Sequence, residues 1–137
     1  MINSYTEFCE SLSLPSDAAV DMAVEIFNTF LESGIGDEKE PPAFILNTFR
    51  NGVNSALTMS DSDQCGDPEH IMLFVEAVGA ACKLDGQWGL TWAYSADRHR
   101  AGAFSGGACV IDFDNSCRHE IDCGDWVETL MRGMRAA

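Results

Sequence analysis

A chain of 137 residues fits one domain able to bury roughly two thirds of its unfolded surface, and a hydrophobic fraction of 46% excludes a disordered acidic tail despite a net charge of −14. The charge is lopsided: residues 1–82 set fourteen Asp and Glu against Lys39 and Arg50, whereas residues 83–137 set eight acids against six bases. Such a field repels nucleic acid and anionic membrane and favours basic partner surfaces, and the longest apolar run, Ile71 to Cys82, is interrupted by Glu76 and falls short of the roughly 20 residues of a membrane span.

The chain opens MINSYTEFCESL, without the basic start and apolar stretch of a secretory signal, so a cytoplasmic location is expected. The six cysteines, Cys9, Cys65, Cys82, Cys109, Cys117 and Cys123, are accordingly expected to be mostly reduced.

Ser16 as N-cap, behind Pro15, and the stop Gly34-Ile35-Gly36 bound a helix over residues 16–33. Val20, Ala23, Val24, Ile26, Phe27, Phe30 and Leu31 share one side of it, and Asp17, Asp21, Glu25, Asn28 and Glu32 the other. A second helix is expected from Pro42 to about Met59, with Ile45, Phe49, Val53, Ala56 and Leu57 as its buried stripe and Gly52 as a close-packing position. A third, from Asp67 to about Leu84, has Asp67 as N-cap and Pro68 at the first helical position. It is apolar nearly all round, the pattern of a central core helix.

After Lys83 the period changes to two: Trp88, Leu90, Trp92 and Tyr94 alternate with Gly89, Thr91, Ala93 and Ser95, which describes a strand with one bulky face. Residues 101–107 form a Gly-rich connection, 108–113 a second strand and 117–123 a third. A three-residue loop, Asp114-Asn115-Ser116, pairs Phe113 with Cys117, Ile111 with His119 and Cys109 with Ile121, and sets Asp112 facing Arg118. Asp125 opens a last helix with Glu128 in a capping-box position and Arg132 and Arg135 near its end. The expected fold is α+β: about three N-terminal helices, then a three-stranded antiparallel sheet and a C-terminal helix, in one domain over residues 1–137.

Asp17, Asp21, Glu25 and Glu32 make a carboxylate row in which i,i+4 neighbours stand roughly 6 Å apart, a spacing like that of phosphates along a nucleic-acid strand. Glu7, Glu10, Asp37 and Glu38 lie just beyond its ends, and no Lys or Arg stands at i,i+4 to neutralise it. Two readings account for the row: a solvated face of an acidic protein, or a surface that occupies the nucleic-acid groove of a basic one.

Cys109, Cys117, His119 and Cys123 fall on one face in the expected register and are ligand types for zinc. The run C-x-H-x3-C on an extended strand lacks the tight-turn ligand pair of a structural zinc site, and Ile111, Phe113 and Ile121 share the face, which favours core residues over a metal. Cys65 with His70 or His119 is a nucleophile arrangement supported by residue type alone. The stretch from Asp112 to Ser116 is no calcium loop, because Cys117 and Cys123 stand where glycine and a bidentate Glu belong. Gly102 to Gly107 lacks the lysine of a phosphate-binding loop, Arg98-His99-Arg100 is too small a basic cluster for a nucleic-acid footprint, and Trp88, Trp92 and Tyr94 read as core.

The expectation is therefore a non-enzymatic acidic inhibitor, with no cofactor or metal, that binds a basic protein or ribonucleoprotein handling nucleic acid and touches neither nucleic acid nor membrane itself. A phage anti-defence protein of anti-CRISPR character and an immunity protein or antitoxin fit equally. The expected contact residues are Asp17, Asp21, Glu25, Glu32, Glu10, Asp37 and Glu38. The alternative is a structural or adaptor module whose acidity serves only solubility and which binds through exposed apolar surface.

Overall fold

The structure is a computed structural model that describes residues 4–61, 66–96 and 105–136. The expectations placed on Cys65, on Arg98-His99-Arg100 and on residues 101–104 lie outside the described residues. In chain order the elements are β1 (Ser4–Glu7), β2 (Cys9–Leu14), α1 (Asp17–Ser33), β3 (Ile45–Phe49), β4 (Ser55–Ser60), α2 (Pro68–Ala81), β5 (Gln87–Ala96), β6 (Ser105–Asp112), β7 (Cys117–Asp122) and α3 (Cys123–Ala136). They form two antiparallel sheets, one of order β1-β5-β6-β7 and one of order β2-β4-β3.

The fold is α+β, but the expected order of helices before strands is overturned. Helix α1 begins at Asp17 only after two strands, and the sheets have four and three strands instead of one sheet of three. Residues 9–14 carry a period-two pattern, with Leu12 and Leu14 buried between exposed Cys9, Ser11 and Ser13. The segment expected as a helix from Pro42 to Met59 is the β3–β4 hairpin. Its apparent stripe at helical spacing is a coincidence, since Val53 is 81% exposed and Phe49 58%. The pattern that wins is the alternation of buried Ser55, Leu57 and Met59 with half-buried Ala56, Thr58 and Ser60. Gly52 sits at φ +57°, a left-handed conformation that belongs to a turn and not to a helix interior.

Helix α2 is the centre of the core. Ile71, Phe74, Val75 and Val78 are fully buried on it, and they meet Val20 and Ala23 of α1, Leu57 and Met59 of β4, Leu90 of β5 and Cys109 and Ile111 of β6. Full burial of an aliphatic or Phe side chain contributes about 1.5–3 kcal/mol each. Phe27, Phe44 and Phe74 close one end of this core, with ring centroids 5.4 to 5.9 Å apart and Phe27 edge-on to both others. The two sheets are stitched by Phe8, buried between β1 and β2, and by Trp88, whose Nε1 donates to the Ser11 carbonyl at 2.8 Å.

The β6–β7 register also departs from expectation, by one residue. Asp112 pairs with Cys117, Ile111 with Arg118 and Val110 with His119. Phe113 joins the loop, and its N–H donates to the Gly86 carbonyl at 2.9 Å. Asp112 does not face Arg118: its carboxylate accepts from the Asp114 and Asn115 N–H groups and from Asn115 Nδ2, capping a turn in which Ser116 takes φ +52°. A one-residue slip exchanges the faces of a strand. Arg118 therefore lies on the helix-facing side with Ile111, and Cys117, His119 and Ile121 lie on the outer side. None of the described helices is long and apolar enough to cross a membrane.

Candidate functional site: a carboxylate face

The seven acids expected to form the contact surface divide into two sets. Asp17 and Asp21 are occupied by the fold. Asp17 Oδ1 accepts from the Gly52 N–H at 3.0 Å and from Ser55 Oγ at 2.9 Å, and Asp21 Oδ1 accepts from Arg50 Nε at 3.2 Å and Nη2 at 3.0 Å. These bonds fasten α1 to the β3–β4 hairpin across 29 to 38 positions of sequence, a separation that an i,i+4 search for neutralising bases does not cover. Glu10 on β2 is half-buried, and its Oε1 accepts from the Ser11 N–H.

Glu25, Glu32, Asp37 and Glu38 are the open set. Glu25 and Glu32 stand two turns apart on the outward side of α1, roughly 10 Å along its axis. Gly34 then caps the helix with its N–H on the Phe30 carbonyl, and the bridge between Ile35 and Glu40 draws residues 36–39 into a tight turn that exposes Asp37 and Glu38. None of these four carboxylates has an ion pair or side-chain hydrogen bond among the described residues.

Three arginines that might have neutralised them are held elsewhere, whereas Lys39 is exposed in the same turn as Asp37 and Glu38. Arg50 pairs with Asp21 at 3.0 Å, Arg118 with Glu69, Glu76 and Glu120, and Arg132 with Glu128 at 3.1 Å.

Sequence reasoning missed the residues that continue this face. Glu40, Asp67 and His70 place their polar atoms within 4.8 Å of one another, beside Asp37, Glu38 and Glu69 in a groove floored by Ile35 and Gly36. His70 is buried, and its Nδ1 accepts from the Ala43 N–H at 3.0 Å. That bond assigns the proton to Nε2, which faces Asp67 Oδ2 at 3.3 Å and Glu40 Oε2 at 3.8 Å. A metal at this cluster would need the Nε2 lone pair and so the loss of the Ala43 bond. The network reads as a latch joining the 35–40 turn, the chain before β3 and the start of α2. Its signal in the sequence was Asp67-Pro68 at a helix start, but Glu40 lies too far along the chain to be associated with it.

The cysteines and histidine considered as zinc ligands do not converge. Cys109 is buried on the inner face of β6, whereas Cys117 and His119 share the outer face of β7, with Sγ and Nε2 3.7 Å apart. Burial raises the Cys109 thiol to about 11, which keeps it protonated and unsuited to metal binding or attack. Cys123 is exposed at the first turn of α3. Trp88, Leu90 and Trp92 pack into or against the core as expected, and Tyr94 is at the exposed limit of that row.

No protein-family model, curated protein or solved structure matches this chain.

Proposed function

We propose that the protein is a non-enzymatic inhibitor that binds a basic nuclease or nucleic-acid-processing complex and covers its nucleic-acid-binding surface with carboxylates. The observation that carries this reading is the open run Glu25, Glu32, Asp37 and Glu38, continued by Glu40, in a protein whose Arg50 and Arg118 are already committed to other acids. Uncompensated carboxylates cost the free protein self-repulsion, and a basic groove would relieve it on association. The contact residues are accordingly narrowed from seven to the open four, with Asp17 and Asp21 supporting the helix that carries two of them. An anti-CRISPR-like action on a crRNA-guided complex and an immunity or antitoxin action on a nuclease toxin share this chemistry.

The test is capture from host lysate on the immobilised protein, followed by elution with nucleic acid. A basic nucleic-acid-handling protein released by nucleic acid and by raised salt is the expected result, because groove occupation by charge is competitive and screened. A partner that resists both contradicts the reading. The adaptor alternative has one observation in its favour, the exposed apolar side of α3, and it requires binding that survives salt.

A further inference from the structure

Helix α3 follows β7 with no intervening loop, and every side chain described on it, Cys123 to Arg135, is exposed. Its sequence is nonetheless two-sided. At 100° per residue Trp126, Val127, Leu130, Met131 and Met134 occupy less than half of the circumference, and Asp125, Glu128, Arg132 and Arg135 the remainder. The five apolar side chains are 45 to 75% exposed, and none belongs to the core or packs against it. A pattern of this kind specifies a buried helix, yet the described residues do not bury it.

We propose that α3 is the interface of a symmetric homodimer, in which it packs antiparallel on α3 of a second copy. Two features of the helix select the occupant: a self-complementary apolar side and a polar side without net charge. The first half of the helix carries Asp125 and Glu128, and the second half carries Arg132 and Arg135. An antiparallel pair centred on Leu130 sets Trp126 across from Met134 of the second copy and Leu130 across from its own equivalent. The alignment is the same in both halves, as a two-fold interface requires, and the four charged side chains stay on the side of each helix turned from the seam. A parallel pair would set the two helix dipoles side by side in the same direction, a repulsion that the antiparallel pair avoids.

Net charge favours the same element. The four charges of α3 cancel within a chain of −14, so two copies can meet here without pressing their carboxylate faces together. The area is adequate: the exposed apolar side chains present roughly 500 Å² per copy, and covering both sets approaches the ~1,000 Å² of a specific, weak to moderate association. Because apolar contact drives it, screening the net repulsion between copies should preserve or tighten it.

Sedimentation of the full chain across a wide concentration range, at low and high salt, tests the proposal. The expected result is a monomer–dimer equilibrium that persists at high salt. Leu130→Asp should abolish it while leaving the far-ultraviolet circular dichroism unchanged, and the denaturant midpoint unchanged at concentrations where wild type is monomeric. Glu128→Arg combined with Arg132→Glu, which exchanges charges on the side turned from the seam and keeps their pair within the helix, should leave dimerisation unchanged. A monomer at every concentration, or a dimer that Leu130→Asp leaves intact, overturns the proposal. Charge reversal of the carboxylate face should leave the dimer untouched, so this result and that of the inhibitor reading can fail separately.

Discussion

Arg118 on the edge strand β7 grips Glu76 in the middle of α2, 42 positions away in the chain, and the same guanidinium reaches Glu69 at 2.7 Å and Glu120 at 3.7 Å. The hydrogen bond that Arg118 donates to Glu76, opposed by partial burial and reinforced by Glu69, holds the guanidinium more firmly protonated than a free arginine. This contact fixes which face of β7 meets the helix. In the expected register Arg118 would point outward and leave Glu69 and Glu76 without a cation. Arg118→Ala is expected to lower stability by about 2 kcal/mol, because it strands half-buried Glu76 beside two further acids. The measurement is a urea unfolding midpoint with unchanged slope. Arg118→Lys should recover only part, since a single ammonium cannot fork between two carboxylates.

The carboxylates of α1 are expected to separate by role. Asp17→Ala removes the acceptor for the Gly52 N–H and one of the two acceptors at buried Ser55 Oγ, and should cost about 1–2 kcal/mol. Glu25→Ala, on the same helix face, should fall within about 0.5 kcal/mol of wild type. Thermal or urea denaturation of the two variants checks this. Equal effects would contradict the division between structural and open acids.

Gly79 lies in the interior of α2, where alanine would ordinarily gain about 1 kcal/mol. Here an added Cβ runs into the ring of Phe113, which packs against the core. Gly79→Ala is expected to destabilise by about 1 kcal/mol net. In a Phe113→Leu background the same substitution should become neutral or stabilising, and the double-mutant cycle reads out the clash.

The turn after β6 predicts a pH dependence. The Asn115 side-chain bond, opposed by desolvation and aided by the Asn115 and Asp114 N–H groups, lowers the Asp112 carboxyl below its ordinary 3.8. A depressed folded-state value gives stability that is fully present above the unfolded value and is lost as pH falls through the lower folded one. Asp112→Asn should therefore be less stable than wild type at neutral pH, and the difference should shrink as pH drops below about 4. Denaturation midpoints at pH 7 and pH 2.5 check the sign.

Residues with short-range signals were legible in the sequence. Ser16 accepts from the Ala19 N–H and Asp67 from the Glu69 N–H, so α1 and α2 begin where their caps stand. The alternation from Trp88 to Tyr94 gave β5. The β3–β4 hairpin was not legible, because Ile45, Phe49 and Val53 happen to fall at helical spacing and outweighed the Asn51-Gly52 turn. The β7 register failed for a related reason: the opposite-charge pair of Asp112 and Arg118 looked like a cross-strand match, whereas each has a better partner, Asp112 in its own turn and Arg118 on α2. Of the site, the open acids were legible from charge alone. The occupation of Asp17 and Asp21 was not, since Gly52, Ser55 and Arg50 become neighbours only through the fold.

The most direct test of the carboxylate face is the affinity of a fourfold variant, Glu25→Lys with Glu32→Lys, Asp37→Lys and Glu38→Lys, for the basic nucleic-acid-handling protein captured by wild type, measured by calorimetric titration at low salt. The account predicts at least a hundredfold loss of affinity with an unchanged circular dichroism spectrum. A folded variant that binds and inhibits as wild type does would contradict it.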